Sequence, residues 1–418
     1  MRKIFKLAWM FAVASMMTMG FSACSSDDDD DNNDDQYTDR SYGQSAIDAC
    51  TKLVTQLESA NRTIANTNLS KEQEEYLRNV LTQLVDNVIV PTYTDLADDV
   101  ENLEKTLNGL TANTITQSQI DKACQDFKAA REHWERSEAF LMGAASDFDV
   151  DPTIDSWPLN RTLLLSYFNR GMSEEMLEDA TILGFHALEF ILFRNGQPRK
   201  VSEFQATDTY KHFERITGAQ ELSYAQTICT LLKQRCYQLQ VAWEGETTAN
   251  ASRLAVVKAA GLDYQTGAGL SYRSNLIGAG ENSLSTFPTL KDAIAQVLSD
   301  DEGSCVGIAN EVGTAKIANP FSAGDISYVE SPYSYNSITD FQDNIRSIRN
   351  IWYGSTNGSA ATVSFSNFFK NTGNTALNSD VTDAINNAIT RIGNIPSPFV
   401  KYCSTIWNKA FEDDEDWD

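Results

Sequence analysis

Apolar residues recur along this chain with the period of an α-helix. In YGQSAIDACTKLVTQLESANRTI they stand at Ile47, Leu53, Val54 and Leu57, which share one helical face. Alternating apolar and polar runs, typical of strands, are sparse. The pattern predicts an all-α chain whose helices pack in antiparallel bundles. Further helical runs are expected over residues 219–244, 252–260, 289–319, 338–353 and 381–392, and from Phe399 onward.

Two other helical runs carry signals at their ends. Ser70 precedes acidic residues and is expected to cap a helix that Pro91 kinks or interrupts. Apolar residues seven apart, from Ile120 to Leu141, predict a second helix ending near Gly143. The Gly-rich segment 261–288 and the Gly/Ser/Thr-rich segment 354–380 are predicted to be loops.

The length of 418 residues suits two such bundles. We expect the first bundle over residues 41–245 and the second over residues 246–418, with the boundary near residues 245–250. The formal net charge of -25 argues against binding to nucleic acid, which needs clustered Lys and Arg. This charge fits a domain that attracts cations, although part of it lies in the acidic stretch 27–35 and in the C-terminal EDDEDWD.

The N-terminus has the pattern of an export signal. MRKIFK is basic, Leu7 to Phe21 is apolar, and FSAC ends at Cys24, which resembles a bacterial lipobox. We therefore expect a signal peptide over residues 1–23, and a lipidated Cys24 with an acidic tether over residues 24–40. The expected location is the bacterial outer membrane, facing the periplasm or the cell surface, with the lipid as the membrane anchor.

Six further cysteines show no CxxC spacing and no zinc-knuckle spacing. Cys229 and Cys236 stand two helical turns apart, ~10 Å along a helix, which is too far for a disulfide. We expect mostly buried free thiols, with one bridge between distant segments as the alternative.

The segment MLEDATILGFHALEFILF places two ionisable residues in apolar surroundings. It is predicted to continue a helix capped by Ser173, and its residues are apolar nearly all round, so the helix is expected to be buried. His186 and Glu189 lie at i and i+3, so their side chains can meet. They form either a buried hydrogen bond that fixes packing or two ligands of one metal ion. Two ligands do not complete a site.

Carboxylates are the candidates for the missing ligands, because the chain has 3 histidines and no HExxH. Glu138 follows Trp134 by one helical turn, and Asp155 stands beside Trp157. Each acid has a structural alternative: a hydrogen-bonded boundary carboxylate for Glu138, and a helix cap or turn residue for Asp155. Together with His186 they would form an oxygen-rich site, which suits iron, manganese or calcium better than structural zinc.

Several segments resemble the imelysin family, whose founding member is described as an insulin-cleaving membrane protease. GFHALEF is similar to its Gly-x-His-x-x-Glu motif, AAREHWERSEAFLMG to its Trp-x-x-x-Glu-Ala-Phe helix, and IDSWPLN to its Asp-x-Trp-Pro loop. VESPYSYNSITDFQDNIRSIRNIWYG resembles a block from the second half, and VPTYTDLADDVENL the start of the domain. The segments keep the family order from about Ser41 to the C-terminus.

The resemblance implies two facing helical bundles with a site near their interface, in an exported or lipid-anchored protein often linked to iron. It carries the metal role to His186 and Glu189, with Glu138 and Asp155 as companions. The chain departs from many relatives at Gly143-Ala144, ahead of the loop that contains Asp155, and ESPYSYNS lacks the Phe-Ser-Asp form of some members. Residues expected to surround the ligands or to contact substrate are Trp134, Trp157, Glu330, Ser334, Asn336 and Asp340.

Three functions remain open from the sequence. The preferred one is metal binding in iron acquisition, alongside an outer-membrane iron or haem transport system, with zinc or calcium as alternatives to iron. The second is a metal-dependent peptidase in which Glu138 is the base. The third is a surface module that binds glycan or protein through the aromatic residues of SPYSYN and NIWYG. Metal titration, chelator-sensitive cleavage and sugar binding distinguish the three.

Overall fold

Helices make up most of the chain that the computed structural model describes, which is residues 35–171, 178–300, 303–323 and 326–404. The predicted signal peptide, Cys24, Ser173 and the acidic C-terminal tail lie outside these residues. From Gln36 onward the described residues belong to one compact unit. The all-α prediction is confirmed, since the described part contains only one pair of two-residue strands, β1 (Phe193–Arg194) and β2 (Gln197–Pro198), paired antiparallel.

The helices are numbered along the chain. Within the described residues, three turns of 3₁₀ helix (Glu138–Phe140, Ala180–Ile182 and Ile326–Tyr328) and two π-helical segments (Val85–Ile89 and Val312–Ala318) lie between some of them. The α-helices are α1 (Asp35–Thr38), α2 (Ser41–Asn66), α3 (Lys71–Leu84), α4 (Val90–Asn108), α5 (Gln117–Glu135), α6 (Ala144–Asp147), α7 (Asp151–Asp155), α8 (Arg161–Arg170), α9 (Gly184–Leu192), α10 (Val201–Phe204), α11 (Gly218–Glu244), α12 (Ala251–Ala259), α13 (Tyr272–Ile277), α14 (Leu290–Ser299), α15 (Cys305–Glu311), α16 (Asn319–Ala323), α17 (Ser337–Tyr353), α18 (Phe365–Asn371), α19 (Thr375–Gly393) and α20 (Phe399–Ser404).

The helices form two sets of neighbours around one hydrophobic core. In the first set, α4 packs against α5 and α11, and α9 packs against α5 and α11. In the second set, α2 packs against α14, α15 and α19. Helix α17 contacts α5 as well as α15 and α19, so it touches both sets. The division into bundles at residues 41–245 and 246–418 stays a prediction, and α2 of the proposed first bundle packs with helices of the second.

Two helices near the expected site are shorter than predicted. Helix α5 ends at Glu135, because the Ser137 hydroxyl donates to the Trp134 carbonyl and the chain then turns into a 3₁₀ helix. Helix α9 begins at Gly184, because Leu183 is extended and Gly184 has a φ of 74°. The predicted loops also contain structure, namely α13 and α18.

Proline is accommodated in two helices by the same local change. The predicted interruption at Pro91 takes the form of the π-helical segment Val85–Ile89, which joins α3 to α4 just before the proline. A second π-helical segment, Val312–Ala318, precedes Pro320 in the same way. The wider turn offers room where the proline ring would otherwise meet the preceding carbonyl. The predicted cap of α3 is also present, since Ser70 accepts from the N–H of Gln73.

Buried thiols are distributed over the whole described chain. The cysteines at 50, 124, 229, 236, 305 and 403 are all buried and free, as predicted.

Within the described ranges, we find no helix whose length and apolarity would let it cross a membrane.

Candidate functional site

Arg131 of α5 lies at the centre of a buried cluster of acids. Its side chain is 1% exposed, and its guanidinium contacts Asp155, Glu135 and Glu330, with 2.6 Å from Nη2 to Oε1 of Glu330. Nε lies 3.7 Å from Oδ2 of Asp340. These acids come from α5, α7, the loop before α17 and α17 itself. The cluster therefore connects segments that are far apart in the chain.

His186 occupies one side of this cluster. Its Nε2 lies 3.0 Å from Oδ1 of Asp155, and its Nδ1 lies 3.2 Å from Oε2 of Glu189. Nε2 is buried and has no well-aligned hydrogen bond. The ring of Trp157 packs on the imidazole with 4.7 Å between centroids. Asp155 is held from its other side by Nε1 of Trp134 at 2.8 Å.

Glu189 links α9 to the loop before α17. Its Oε1 accepts hydrogen bonds from the N–H groups of Tyr333 (3.1 Å) and Ser334 (2.7 Å) and from the Ser334 hydroxyl (2.6 Å). The loop contains two residues in the left-handed region, Ser331 with φ 51° and Tyr335 with φ 57°. These strained conformations persist because contacts such as those of Glu189 fix the loop.

The glycine of the Gly-x-His-x-x-Glu motif brings the Asp155 segment against α9. A Cβ on Gly184 would lie 2.0 Å from the carbonyl oxygen of Ile154, the residue before Asp155. Only glycine permits this approach together with a positive φ. The motif thus positions Asp155 beside His186, although the two residues belong to different helices.

Lys316 forms the centre of a neighbouring group of acids. Its Nζ lies 3.2 Å from Oε2 of Glu330 and 3.9 Å from Oε1 of Glu311, and Glu138 is among the acids that stabilise its charge. The Lys316 side chain is 9% exposed, whereas that of Glu311 is 52% exposed. Glu311 therefore marks the place where the buried cluster meets solvent.

The acids of the cluster differ strongly in their pKa. Burial raises the pKa of Glu135 and Glu138 well above the usual range, in spite of nearby Arg131 or Lys316. Burial also raises the pKa of Asp340 to about 7. For Asp155 the contacts with Arg131 and His186 outweigh burial and hold the pKa well below its ordinary value. Part of the cluster therefore retains protons at neutral pH.

His186 carries a proton in this environment. Burial and Arg131 lower the pKa of the imidazole, but Asp155 and Glu189 outweigh them and raise it to about 9. The protonated ring is thus stabilised by an acid on each side. A ligand role for Nε2 requires the loss of this proton.

The structure brings some of the predicted ligands together and separates others. His186 and Asp155 meet, and Glu189 lies across the imidazole from Asp155. Glu138 is buried in the 3₁₀ turn after α5, not on the α5 face, and belongs to the group around Lys316. The metal roles of these residues stay predictions. Of the residues expected nearby, Asn336 donates to Asp340, Ser334 to Glu189 and Trp134 to Asp155.

Two groups of side chains in the described part of the chain have the composition of a metal site. In each group the ligand atoms lie within 4.8 Å of one another: Asp155, His186 and Glu330, and Glu135, Glu330 and Asp340. Bonds of ~2.0–2.2 Å place neighbouring ligands roughly 3–4 Å apart, so a small contraction suffices. Nε2 of His186, which has no well-aligned hydrogen bond, is the nitrogen that would bind a cation after losing its proton. One imidazole with carboxylates suits a hard divalent ion.

Sequence reasoning missed the positive charges of the site. Arg131 lies between Phe127 and Trp134 on the apolar face of α5, so a charge on a core stripe was the available signal. Glu135 lies one helical turn further along α5. Lys316 lies in a π-helical segment, where helical spacing no longer indicates which side chains are buried.

Known proteins are similar to this chain in sequence and in fold. A curated relative, "Iron-regulated protein A" of Synechococcus elongatus, is 26% identical over 270 residues, which cover 65% of this chain and 62% of the relative. The chain thus spans less than two thirds of that relative. A crystal structure of an iron-regulated protein A precursor from Parabacteroides distasonis superposes with a TM-score of 0.57, at 24% identity, over 80% of this chain and 97% of that chain.

A second solved structure, an imelysin-like protein from Psychrobacter arcticum, covers 80% of this chain and 96% of its own, at 13% identity and a TM-score of 0.46. The family model described as imelysin, Peptidase_M75, matches residues 89–416 of this chain. That match includes the Gly-x-His-x-x-Glu segment and the loop before α17. The chain is a member of the imelysin family.

Proposed function

We propose that this protein binds a metal ion through Asp155, His186 and Glu330. We infer that the ion is iron and that the protein acts in iron acquisition. The name of the Synechococcus relative supports the link to iron. The oxygen-rich ligand group supports a hard cation. Glu189 supports the imidazole from behind through Nδ1, an arrangement common for histidines that ligate metals.

The observation that carries the proposal is the surplus of buried acid beside Nε2 of His186, a nitrogen that has no well-aligned hydrogen bond. The single positive charge of Arg131 faces the four acids Glu135, Asp155, Glu330 and Asp340. The positive charge of Lys316 is likewise shared between Glu330 and further acids. Burying carboxylates without enough positive charge is costly, and the raised pKa values of Glu135 and Asp340 express this cost. Protons or a metal cation can offset it, and a cation would take the place of protons.

Calorimetric titration of the purified mature chain with Fe(II), under anaerobic conditions, and with Mn(II) and Zn(II) tests the proposal. We expect saturable binding, weakened at least ~10-fold in His186→Ala. His133→Ala is the matched control, since His133 pairs with Asp99 on α4 outside the cluster. Equal affinity of wild type and His186→Ala would remove the proposed site.

The proposal includes the location of the protein. The basic start, the apolar run and the lipobox-like FSAC support a lipid anchor at Cys24 in the outer membrane, beside an iron or haem transport system. Membrane fractionation of the full chain and of Cys24→Ala tests this part. A wild-type protein found only in the aqueous fraction contradicts it.

A further inference from the structure

Glu330 is shared by both candidate ligand groups, and both of its oxygens already face a positive side chain. Oε1 lies 2.6 Å from Nη2 of Arg131 and 3.3 Å from Nζ of Lys316. Oε2 lies 3.2 Å from the same Nζ. A metal ion bound to a Glu330 oxygen would lie close to these positive charges, which repel it unless one of them withdraws. The resting arrangement therefore contains its own competitor for the ion.

Arg131 is the less mobile of the two charges. Its guanidinium is 1% exposed and is also held by Asp155 and Glu135. Its planar fork makes several contacts at once, so its withdrawal would leave several acids without a partner. We expect Arg131 to stay in place whether or not the site holds an ion.

Lys316 has the properties of a charge that can withdraw. It is a compact ammonium on a flexible stem. Glu311 lies 3.9 Å away on the solvent side, with a side chain that is 52% exposed. Lys316 also lies in the π-helical segment Val312–Ala318, and π-helical turns often occur at functional sites. An alternative carboxylate is thus within reach once Glu330 is taken.

We propose that Lys316 is a tethered competitor of the metal ion, which holds Glu330 in the resting protein and moves toward Glu311 when the ion binds. This inference rests on the proposed metal-binding function and assigns Lys316 a role in setting its affinity. An ion must displace an ammonium before it gains the Glu330 oxygen. The competition lowers the affinity of the site, so at a given concentration only an ion that bonds strongly to the full ligand group stays bound.

The test is Mn(II) binding by calorimetry to the mature wild-type chain and to Lys316→Met, Lys316→Arg, Glu311→Gln and the double variant Lys316→Met/Glu311→Gln. Loss of the ammonium charge should tighten binding in Lys316→Met by about tenfold. Lys316→Arg retains a charge and should bind no tighter than wild type. Lys233→Met is the matched control, since Lys233 also pairs with a glutamate, Glu104, at 2.5 Å, and it should leave the affinity unchanged.

Glu311→Gln tests whether Glu311 acts by receiving Lys316 or by attracting the ion directly. The exposed position of Glu311 favours a folded variant. If Glu311 acts by receiving Lys316, its substitution weakens binding in the wild type and has little effect in Lys316→Met. Equal weakening in both backgrounds overturns the inference. So does wild-type binding with no gain in Lys316→Met. If wild type and every variant fail to bind, the proposed function itself falls and the inference with it.

Discussion

Glu189 is bonded to Ser334 through both the main chain and the side chain of the serine, at 2.7 Å and 2.6 Å, although 145 positions separate the two residues. The glutamate of the Gly-x-His-x-x-Glu motif therefore has a partner at each carboxylate oxygen, the imidazole of His186 at Oε2 and the loop before α17 at Oε1. That loop carries Glu330, so Glu189 also influences where the third candidate ligand lies.

Glu189→Ala should lower the free energy of unfolding by about 2–3 kcal/mol, because the N–H groups of Tyr333 and Ser334 lose their buried acceptor. Ser334→Ala keeps both N–H groups bonded and removes only the hydrogen bond that the serine hydroxyl donates, so it should cost about 1 kcal/mol. Urea unfolding of both variants measures the difference. Similar losses in the two variants would show that Glu189 does not hold the loop.

Gly184→Ala should destabilise the protein and weaken metal binding. The new Cβ would lie 2.0 Å from the Ile154 carbonyl oxygen, and the φ of 74° is unfavourable for alanine. We expect a loss of more than about 2 kcal/mol in urea unfolding. Gly171→Ala is the matched control, because its φ is 83° but no atom lies within 4 Å of the added Cβ. It should show only the backbone penalty of about 1–3 kcal/mol, and so a smaller loss than Gly184→Ala. Equal losses would refute a close approach at Gly184.

Arg131→Met should cost about 3–5 kcal/mol at pH 8, since it leaves buried carboxylates without their cation. Removal of the guanidinium raises the pKa of these acids, so they take up protons on acidification and the loss should be smaller at pH 5. Urea unfolding at both values of pH measures this. Arg253→Met, which breaks the pair with the 56% exposed Asp98, should cost at most about 1 kcal/mol at either pH. A loss for Arg131→Met that does not change with pH contradicts the expected role.

Metal affinity should rise with pH. Since the pKa of His186 is raised to about 9, the imidazole is protonated below that value and must release a proton before Nε2 can bind an ion. Between pH 7 and 9 the Mn(II) association constant should increase by up to about tenfold per pH unit, and it should level off above pH 9. Calorimetry in buffers of different ionisation enthalpy counts the released protons. Binding without proton release would exclude His186 as a ligand.

The raised pKa of His186 also predicts that the stability of the metal-free protein falls as the pH rises. The pKa of His186 is higher in the folded protein than the ordinary value of 6.5. Its contribution to stability is therefore complete below about pH 6.5 and is lost as the pH rises toward 9. In His186→Gln, the difference in free energy of unfolding from wild type should be larger at pH 6 than at pH 9.5, as measured by urea unfolding. A difference that is constant over this range contradicts the raised pKa.

Much of the fold could be predicted from periodicity because its long helices bury one face. Helices α2, α11 and α17 follow the predicted bounds to within a few residues. The ends of α5 and α9 could not be found in this way. At Ser137 a side-chain hydrogen bond replaces the helical pattern, and at Gly184 a tertiary contact with Ile154 decides the backbone conformation.

Only part of the site could be predicted from the sequence, because only some of its contacts are local in the chain. The i, i+3 spacing of His186 and Glu189 is local, and it gives the observed contact. The sequence also indicated that something positive must offset the acids. The structure shows that Arg131 and Lys316 already supply part of this charge, and their meeting with Glu330 depends on long-range packing.

The six buried thiols give the molecule a set of internal reporters. Each becomes reactive toward a thiol reagent only when its own helix opens, and α2, α5, α11, α15 and α20 each carry at least one. The rates at which Cys124 and Cys305 are labelled in the native protein would therefore reveal whether the two sets of helices open together or separately.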